Sequence, residues 1–260
     1  MSRVIRMLVA ATAVGGLALS GLMTAGAASA SINGRSAHGP GSRYAGPGTG
    51  FHAVGLATAP ANSRDFAGYA AAVPAGSATV MTASFTVPTL SCTTADRAIT
   101  PSTAVYHGNS VSAAFVFTGC VNGTAVYYPG LVVNGTETDF TTSPFAAGDV
   151  VDVTTKVSTN RTRVQVTDVT TNVTEKKIGP GASASAAYMG DTGAGSSTGS
   201  LLHVPDFGKL TFKNCLVDGK ALASWHPQAY QRVNSIGRVQ ITTGAFWPGG
   251  TAFTTHYQHS

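Results

Sequence analysis

Alternation of apolar and polar residues is the clearest pattern in this chain. It runs from Val150 to Val157 and again from Arg161 to Asp168, with Ser158-Thr159-Asn160 between the two runs. A period of two predicts a β-hairpin with one buried face and one solvent-facing face. Further short strands, bounded by Gly, Pro or Asn, are predicted at residues 80–87, 112–118, 125–133, 184–189, 209–213, 238–242 and 251–257.

No segment has apolar residues at the sustained i, i+3, i+4 spacing of an amphipathic helix. Many short strands separated by turn residues predict an all-β sandwich or barrel. Pro129 interrupts the run at 125–133 and predicts a bulge or an edge position there, because proline cannot donate to a strand ladder. Asn134-Gly135 predicts a tight turn directly after it.

The N-terminus has the three parts of a secretory signal peptide. Arg3 and Arg6 form a basic start, residues 7–25 are uncharged and mostly apolar, and Ala28-Ser29-Ala30 is a small-residue cleavage site. The alternative is a membrane anchor, since the apolar run is about long enough to span a bilayer. Gly and Thr residues dilute the run, so a signal peptide over residues 1–30 and secretion are expected. The Ala- and Gly-rich leader favours a bacterial source.

A Gly- and Pro-rich stretch follows, and no periodic pattern organises it. Residues 31–62 are therefore predicted to be a flexible tail or a propeptide, and composition does not separate the two. From about residue 63 the Gly- and Pro-rich composition gives way to strand-like runs separated by turns. Residues 63–260 are therefore predicted to form the β-sandwich domain. Apolar residues make up 43% of the chain and charged residues only 10%, a balance that favours a packed core over disorder.

The net charge of +5 comes from the N-terminal region. Five basic residues lie at or before Arg64, and the remainder of the chain has 11 basic and 11 acidic residues. The folded part therefore lacks the clustered basic surface that nucleic-acid binding needs. Neither nucleic acid nor, after signal cleavage, a membrane is expected as a partner, and the protein is expected to be a monomer.

Three cysteines are present, at positions 92, 120 and 215. Export to an oxidising compartment favours disulfides. Cys92 and Cys120 flank a strand-turn-strand region and are expected to pair, which leaves Cys215 buried as a small apolar residue or free. No Cys or His spacing indicates a zinc site, so no metal and no cofactor are expected.

Six short segments, in order, resemble motifs of one family, the glutamic peptidases of family G1, or eqolisins. They are Asp65-Phe66-Ala67-Gly68-Tyr69, Ala83-Ser84-Phe85-Thr86-Val87-Pro88, Phe117-Thr118-Gly119, Ala147-Gly148-Asp149, residues 204–212 and residues 250–254. The resemblance implies a concanavalin A-like antiparallel β-sandwich over residues 63–260. It bears on the fold and says nothing by itself about activity.

The family hydrolyses peptides with a glutamate, the general base for a water molecule, and a glutamine that donates to the oxyanion. The resemblance places Phe117 at the glutamine position. It places Ala187 and Asp191 at the two glutamates of the family motif A-E-W-I-V-E. The expected pair is thus replaced. Asp191, before a Gly-rich stretch, is either a shortened catalytic base or an exposed turn carboxylate.

The same resemblance marks residues that would line the binding groove. Phe66, Tyr69, Phe117, Tyr128 and Tyr188 are expected to do so, although tyrosine is equally common as strand filler.

Three functions follow from these expectations. The first is a secreted, catalytically degenerate family member that binds a peptide or a glycan in the groove. The second is an active but divergent acid endopeptidase that works through Asp191 between roughly pH 2 and 5. The third is a lectin-like module that binds polysaccharide through the groove tyrosines.

Overall fold

The structure is a computed structural model that describes residues 59–95, 97–108, 110–143, 145–194 and 201–259. The expected signal peptide, residues 1–30, and the expected tail, apart from residues 59–62, lie outside the described residues. No helix in the described ranges is long and apolar enough to cross a membrane.

Sixteen strands make up nearly all of the secondary structure in these ranges. A short 3₁₀ turn at Leu222–Trp225 is the helical element that joins them. The strands are β1 Ala61–Ser63, β2 Phe66–Ala72, β3 Thr79–Thr86, β4 Arg97–His107, β5 Ser110–Val121, β6 Thr124–Val133, β7 Thr136–Asp139, β8 Val150–Val157, β9 Arg161–Asp168, β10 Val173–Pro180, β11 Ala186–Gly193, β12 Lys209–Val217, β13 Lys220–Ala221, β14 Gln228–Val233, β15 Val239–Thr243 and β16 Phe253–Tyr257.

The strands form two packed sheets. The large sheet has the order β7-β6-β5-β4-β11-β2-β14-β15-β16, and the small sheet has the order β10-β9-β8-β3. Strand β12 joins them, because Lys209 to Phe212 pair with β16 and Lys213 to Val217 pair with β3. Pairing between these strands is antiparallel, and β1 adds to β14 in parallel.

One apolar core fills the space between the two sheets. In β3, β8 and β9 every second residue is buried, as the alternating pattern requires, and their buried side chains include Met81, Phe85, Val151 and Val164. In β4 and β5 almost every residue is buried, because these central strands of the large sheet are covered on both faces. The large sheet therefore carries a second apolar surface on the face turned away from the small sheet.

The all-β fold and its main hairpin are confirmed. The predicted hairpin coincides with β8 and β9, and the predicted strand at 80–87 is β3. Pro129 lies in β6 with unbroken register to β5, so it does not form a bulge. Strand β7 ends opposite Gly130, and beyond it Phe140 N–H donates to the Pro129 carbonyl oxygen at 3.0 Å, a contact that needs no donor from the proline.

The predicted disulfide between Cys92 and Cys120 is present, with the two Cα atoms 5.5 Å apart. It ties the segment after β3 to the end of β5. Cys215 is buried in the core between the sheets and makes no disulfide, and burial raises the pKa of its thiol.

Candidate functional site

The outer face of the large sheet, turned away from the small sheet, carries a cluster of aromatic side chains. We call it the outer cluster. Its small members include Ala70, Ala104, Ala113 and Ala186, and its aromatic members are Phe66, Tyr106, Phe115, Phe117, Tyr128, Tyr188 and Tyr230. Each of these aromatic residues is buried. Strands β2, β11, β4, β5, β6 and β14 supply them, so the cluster spans most of the sheet.

Phe117 and Tyr128 form the packed centre of the outer cluster on β5 and β6. They are direct cross-strand partners, and their rings stack with centroids 4.6 Å apart and planes 7° apart. Gly119 follows on the same face as Phe117, and a Cβ at that position would lie 2.6 Å from the Phe117 ring. A residue larger than glycine would therefore displace the ring.

Three tyrosines and one phenylalanine form the other half of the outer cluster. Tyr188 packs edge-on against Tyr106 with centroids 4.9 Å apart, and Phe66 lies 5.8 Å from Tyr188 and 5.9 Å from Tyr230. Burial raises the pKa of all three tyrosines, so they stay neutral hydroxyl groups at ordinary pH. Mixed aromatic and hydroxyl chemistry of this kind suits contact with peptides or sugars.

Tyr69 does not join the outer cluster, contrary to the expectation from sequence. It is three residues from Phe66 on β2, and an odd separation in a strand turns the side chain to the opposite face. There its ring stacks on Phe246 at 4.0 Å, and its hydroxyl donates to the Gly244 carbonyl oxygen at 2.9 Å. Tyr69 thus belongs to the core between the sheets.

Asp191 also faces away from the outer cluster. It lies in β11, where Tyr188 points outward and Ala187 and Met189 point into the core between the sheets. Its carboxylate is fully buried and accepts a hydrogen bond from Thr255 Oγ1. The expected exposed turn carboxylate is therefore wrong, because residue 191 is within a strand of the large sheet and not in the loop beyond it.

Burial controls the chemistry of Asp191. It raises the pKa of the carboxyl to about 7, against the lowering effects of the Thr255 hydrogen bond and the Arg232 guanidinium. Arg232 is itself 2% exposed, and one of its amino groups donates to the Leu202 carbonyl oxygen at 3.0 Å. Asp65 also attracts this cation. The arrangement is a buried polar contact within the fold rather than an open reaction site.

Two carboxyl groups lie on the outer face at the sheet edge, and no sequence motif indicated them. Glu137 pairs with Val132 and Asp139 pairs with Gly130, so both side chains share the face of the outer cluster. The alternate residue Thr138 turns to the small sheet, where its hydroxyl contacts Lys177 Nζ of β10. We call Glu137 and Asp139 the carboxyl pair. The i, i+2 spacing after the Asn134-Gly135 turn is the signal that could have revealed it.

The carboxyl pair shares a proton. Burial raises the pKa of Asp139 to about 6. Burial first, and then the negative charge of Asp139 and a side-chain hydrogen bond between the two groups, together raise the pKa of Glu137 to about 9. Two close carboxyl groups resist double ionisation in this way. Between those pH values Asp139 is the ionised member and Glu137 holds the proton.

The family model described as the Peptidase A4 family matches residues 64–257. The chain belongs to the Peptidase A4 family. No curated protein sequence matches it at a significant level.

Solved structures of glutamic peptidases have the fold of this family member. Scytalido-glutamic peptidase, bound to a transition-state analog inhibitor, is 16% identical with a TM-score of 0.59, and the match covers 75% of this chain and 100% of that one. SCP-B, an eqolisin in complex with the tripeptide Ala-Ile-His, is 15% identical with the same coverage and TM-score. Aspergilloglutamic peptidase from Aspergillus niger is 17% identical with a TM-score of 0.51, over 62% of this chain and 99% of that one. At these identities the likeness shows the fold.

The family match raises the question of where the expected catalytic positions lie relative to the outer cluster. Phe117, which the sequence resemblance places at the family's glutamine position, has a ring that is stacked and buried and that has no hydrogen-bond donor. Both positions that resemble the family's glutamates, Ala187 and Asp191, face the other side of the sheet from Phe117. In this Peptidase A4 family member, these three positions do not form a glutamine–glutamate pair on one face.

Proposed function

We propose that this Peptidase A4 family member binds a peptide segment along the outer face of its large sheet and does not cleave it through a glutamine–glutamate pair. The observation that carries the proposal is the stacked and buried ring of Phe117, which the sequence resemblance assigns to the family's glutamine position. A donor at this place contributes about 3 kcal/mol to transition-state stabilisation in peptide hydrolysis, and a phenyl ring contributes none of it.

The resemblance also leaves no suitable base for the same reaction at the two expected glutamate positions. Ala187 has no ionisable group, and the Asp191 carboxyl is separated from the outer face by the backbone of the sheet. The raised pKa of Asp191 also keeps it protonated between pH 2 and 5, where an acid peptidase of this type works. These facts weigh against the divergent acid endopeptidase that the sequence left open.

A cleavage assay tests this proposal directly. The full chain should leave a denatured protein substrate intact from about pH 2 to 5, where a carboxylate base of ordinary pKa is partly ionised. A scytalido-glutamic peptidase in the same buffers serves as the positive control. Acid cleavage by the wild type that disappears in Asp191→Ala would overturn the proposal.

Peptide binding has its own measurement. A library of short peptides labelled with a fluorophore should give anisotropy changes with the wild type, and Tyr106→Phe should weaken them because it removes one hydroxyl and keeps the ring packing. Tyr106 Oη is buried and has no hydrogen-bond partner among the described residues, so a bound peptide that reaches it would supply the missing partner. Equal binding of the peptides by wild type and variant would remove the outer face from consideration.

A second candidate function is peptide hydrolysis by the carboxyl pair. Asp139 as base and Glu137 as acid have the protonation states that general acid–base catalysis requires, and both lie on the outer face. Their raised pKa values place the active range between about pH 6 and 9, not in acid. A bell-shaped rate profile in that range, abolished in both Glu137→Gln and Asp139→Asn, would establish it.

We also propose that the chain is secreted and loses its leader. The Cys92–Cys120 disulfide is a form of crosslink that persists in oxidising compartments, and the expected signal peptide precedes the domain. N-terminal sequencing of protein from culture medium should begin near Ser31, or near residue 63 if the tail is a propeptide. Recovery of the intact leader from the medium would contradict cleavage.

A further inference from the structure

A cleft of about 500 Å³ opens on the opposite side of the molecule from the outer cluster. It lies where β3 ends and β12 crosses from one sheet to the other. Phe85 and Leu210 line it and also belong to the core between the sheets. Within the ranges that the structure describes, five large apolar side chains are exposed, and two of them line the cleft: Trp247, 48% exposed, and Val150, 42% exposed.

The fold holds Trp247 outward at the rim. Its neighbour Phe246 is anchored inward by stacking on Tyr69 at 4.0 Å. A turn fixes the backbone, since Gly250 N–H donates to the Trp247 carbonyl oxygen at 3.0 Å and Trp247 N–H donates to the Ala252 carbonyl oxygen at 2.8 Å. A tryptophan whose backbone is fixed in this way offers a flat apolar surface without ordering of the main chain on binding.

Two cations and four hydroxyl groups, one of them on Thr89, complete the cleft. Lys209 and Lys213 are exposed, and Thr211 lies between them on the same side of β12. Ser84 is the cross-strand partner of Lys213, and Thr86 follows it on the same face of β3. One carboxylate lies beside this group: Asp152 accepts a hydrogen bond from Ser84 Oγ at 2.5 Å.

The opposite wall is fixed by the backbone. Val87 N–H donates to the Asp149 carbonyl oxygen at 2.8 Å, and Gly148 N–H donates to the Val87 carbonyl oxygen at 2.9 Å. Both walls are therefore formed before any ligand arrives, as is usual for sites that bind small molecules.

We propose that this cleft binds an acidic oligosaccharide, with a sugar ring on the Trp247 indole and uronate carboxylates near Lys209 and Lys213. An apolar ring surface and a ring of hydroxyl groups match the two faces of a sugar, and the paired cations select a charged one. A nucleic acid is disfavoured because the chain from Asp65 onward has 11 basic and 11 acidic residues. The site is separate from the outer face and does not depend on the peptide-binding proposal.

Calorimetric titration of the full chain with trigalacturonic acid tests the proposal. A Kd of about 0.1 to 1 mM is expected for one stacked ring and two ion pairs at an open cleft. Tryptophan emission should change on binding in the wild type and stay constant in Trp247→Ala. The fully methyl-esterified trisaccharide keeps the rings without their charges and should bind at least about tenfold more weakly.

Two variants measure the contributions of the indole and of the lysine charges to binding separately. Trp247→Ala is expected to weaken binding at least about tenfold. The double variant Lys209→Met, Lys213→Met should do the same and should bind the acid and its ester equally. Lys176→Met serves as the matched control, because Lys176 is an exposed lysine on the far edge strand β10. Near-UV circular dichroism verifies that each variant is folded. If Trp247→Ala does not fold, the double variant Lys209→Met, Lys213→Met provides the test.

Three results would overturn the proposal. The first is no heat and no emission change up to about 10 mM trisaccharide. The second is an affinity that the folded Trp247 and lysine variants leave within twofold of the wild type. The third is equal binding of a triglutamate peptide with the same dependence on Trp247, which would make the cleft a site for acidic peptides instead.

Discussion

Buried Asp191 should make the protein more stable in acid than at neutral pH. In the unfolded chain this carboxyl has its ordinary pKa of 3.8, whereas in the folded protein burial raises it to about 7. Between these values the folded state holds a proton that the unfolded state has released, so stability falls as pH rises. The difference in pKa corresponds to about 4 kcal/mol, lost between about pH 4 and 7.

The substitution Asp191→Asn isolates this effect. Asparagine keeps an oxygen that can accept the Thr255 hydrogen bond but does not titrate. The free energy of unfolding of the Asp191→Asn variant should therefore change between pH 4 and 7 by about 4 kcal/mol less than the free energy of unfolding of the wild type changes. Urea denaturation at fixed ionic strength, followed by tryptophan emission at each pH, gives the two profiles. Thr255→Val removes the hydrogen bond that lowers the pKa, so its loss of stability should extend above pH 7.

Parallel profiles for wild type and Asp191→Asn would refute this reasoning. They would mean that Asp191 is ionised in the folded protein throughout this range and that Arg232 compensates its burial fully. The carboxyl pair contributes a pH dependence of the same sign, because its pKa values are also raised. It is present in both proteins, so it cancels in the comparison.

Three further predictions concern the outer cluster, the carboxyl pair and the disulfide. Phe117→Gln should not produce acid peptidase activity and should lower the free energy of unfolding by about 3 kcal/mol in urea titrations, since it removes a stacked ring and buries an amide. Asp139→Asn should lower the pKa of Glu137, measured by carboxyl carbon NMR, because it removes the neighbouring charge. Replacing Cys92 and Cys120 by serine opens a loop with a sequence separation of 28 and should cost about 3 to 4 kcal/mol, measured by thermal unfolding.

Strands exposed on one face could be located from the sequence, and those buried on both faces could not. The hairpin of β8 and β9 shows apolar alternation and was located to the residue. Strand β4 is buried almost throughout, so its sequence RAITPSTAVYH has no alternation to detect. Strand β2, with the sequence FAGYAAA, is rich in Ala and Gly, which are poor indicators of strands.

The site residues, too, could be predicted only where the strand that carries them could be located from the sequence. Phe66, Phe117, Tyr128 and Tyr188 all reach the outer cluster, while Tyr69 does not. The parity of positions within β2 would have separated Phe66 from Tyr69, but only once β2 was known as a single strand. The carboxyl pair was missed because β7 has four residues, too few to show a period.

The packing of the outer face restricts where any chemistry can take place on it. Each buried phenylalanine of the outer cluster contributes about 2 kcal/mol to folding, so polar groups introduced at the centre would cost both that contribution and their own desolvation. Partly exposed polar side chains on this face include Glu137 and Asp139, which β7 places at its edge. A ligand that reaches the outer face therefore meets the carboxyl pair without displacing the stacked rings. We expect mutations at Glu137 and Asp139 to alter ligand binding or turnover with small effects on stability, and mutations at Phe117 to do the reverse.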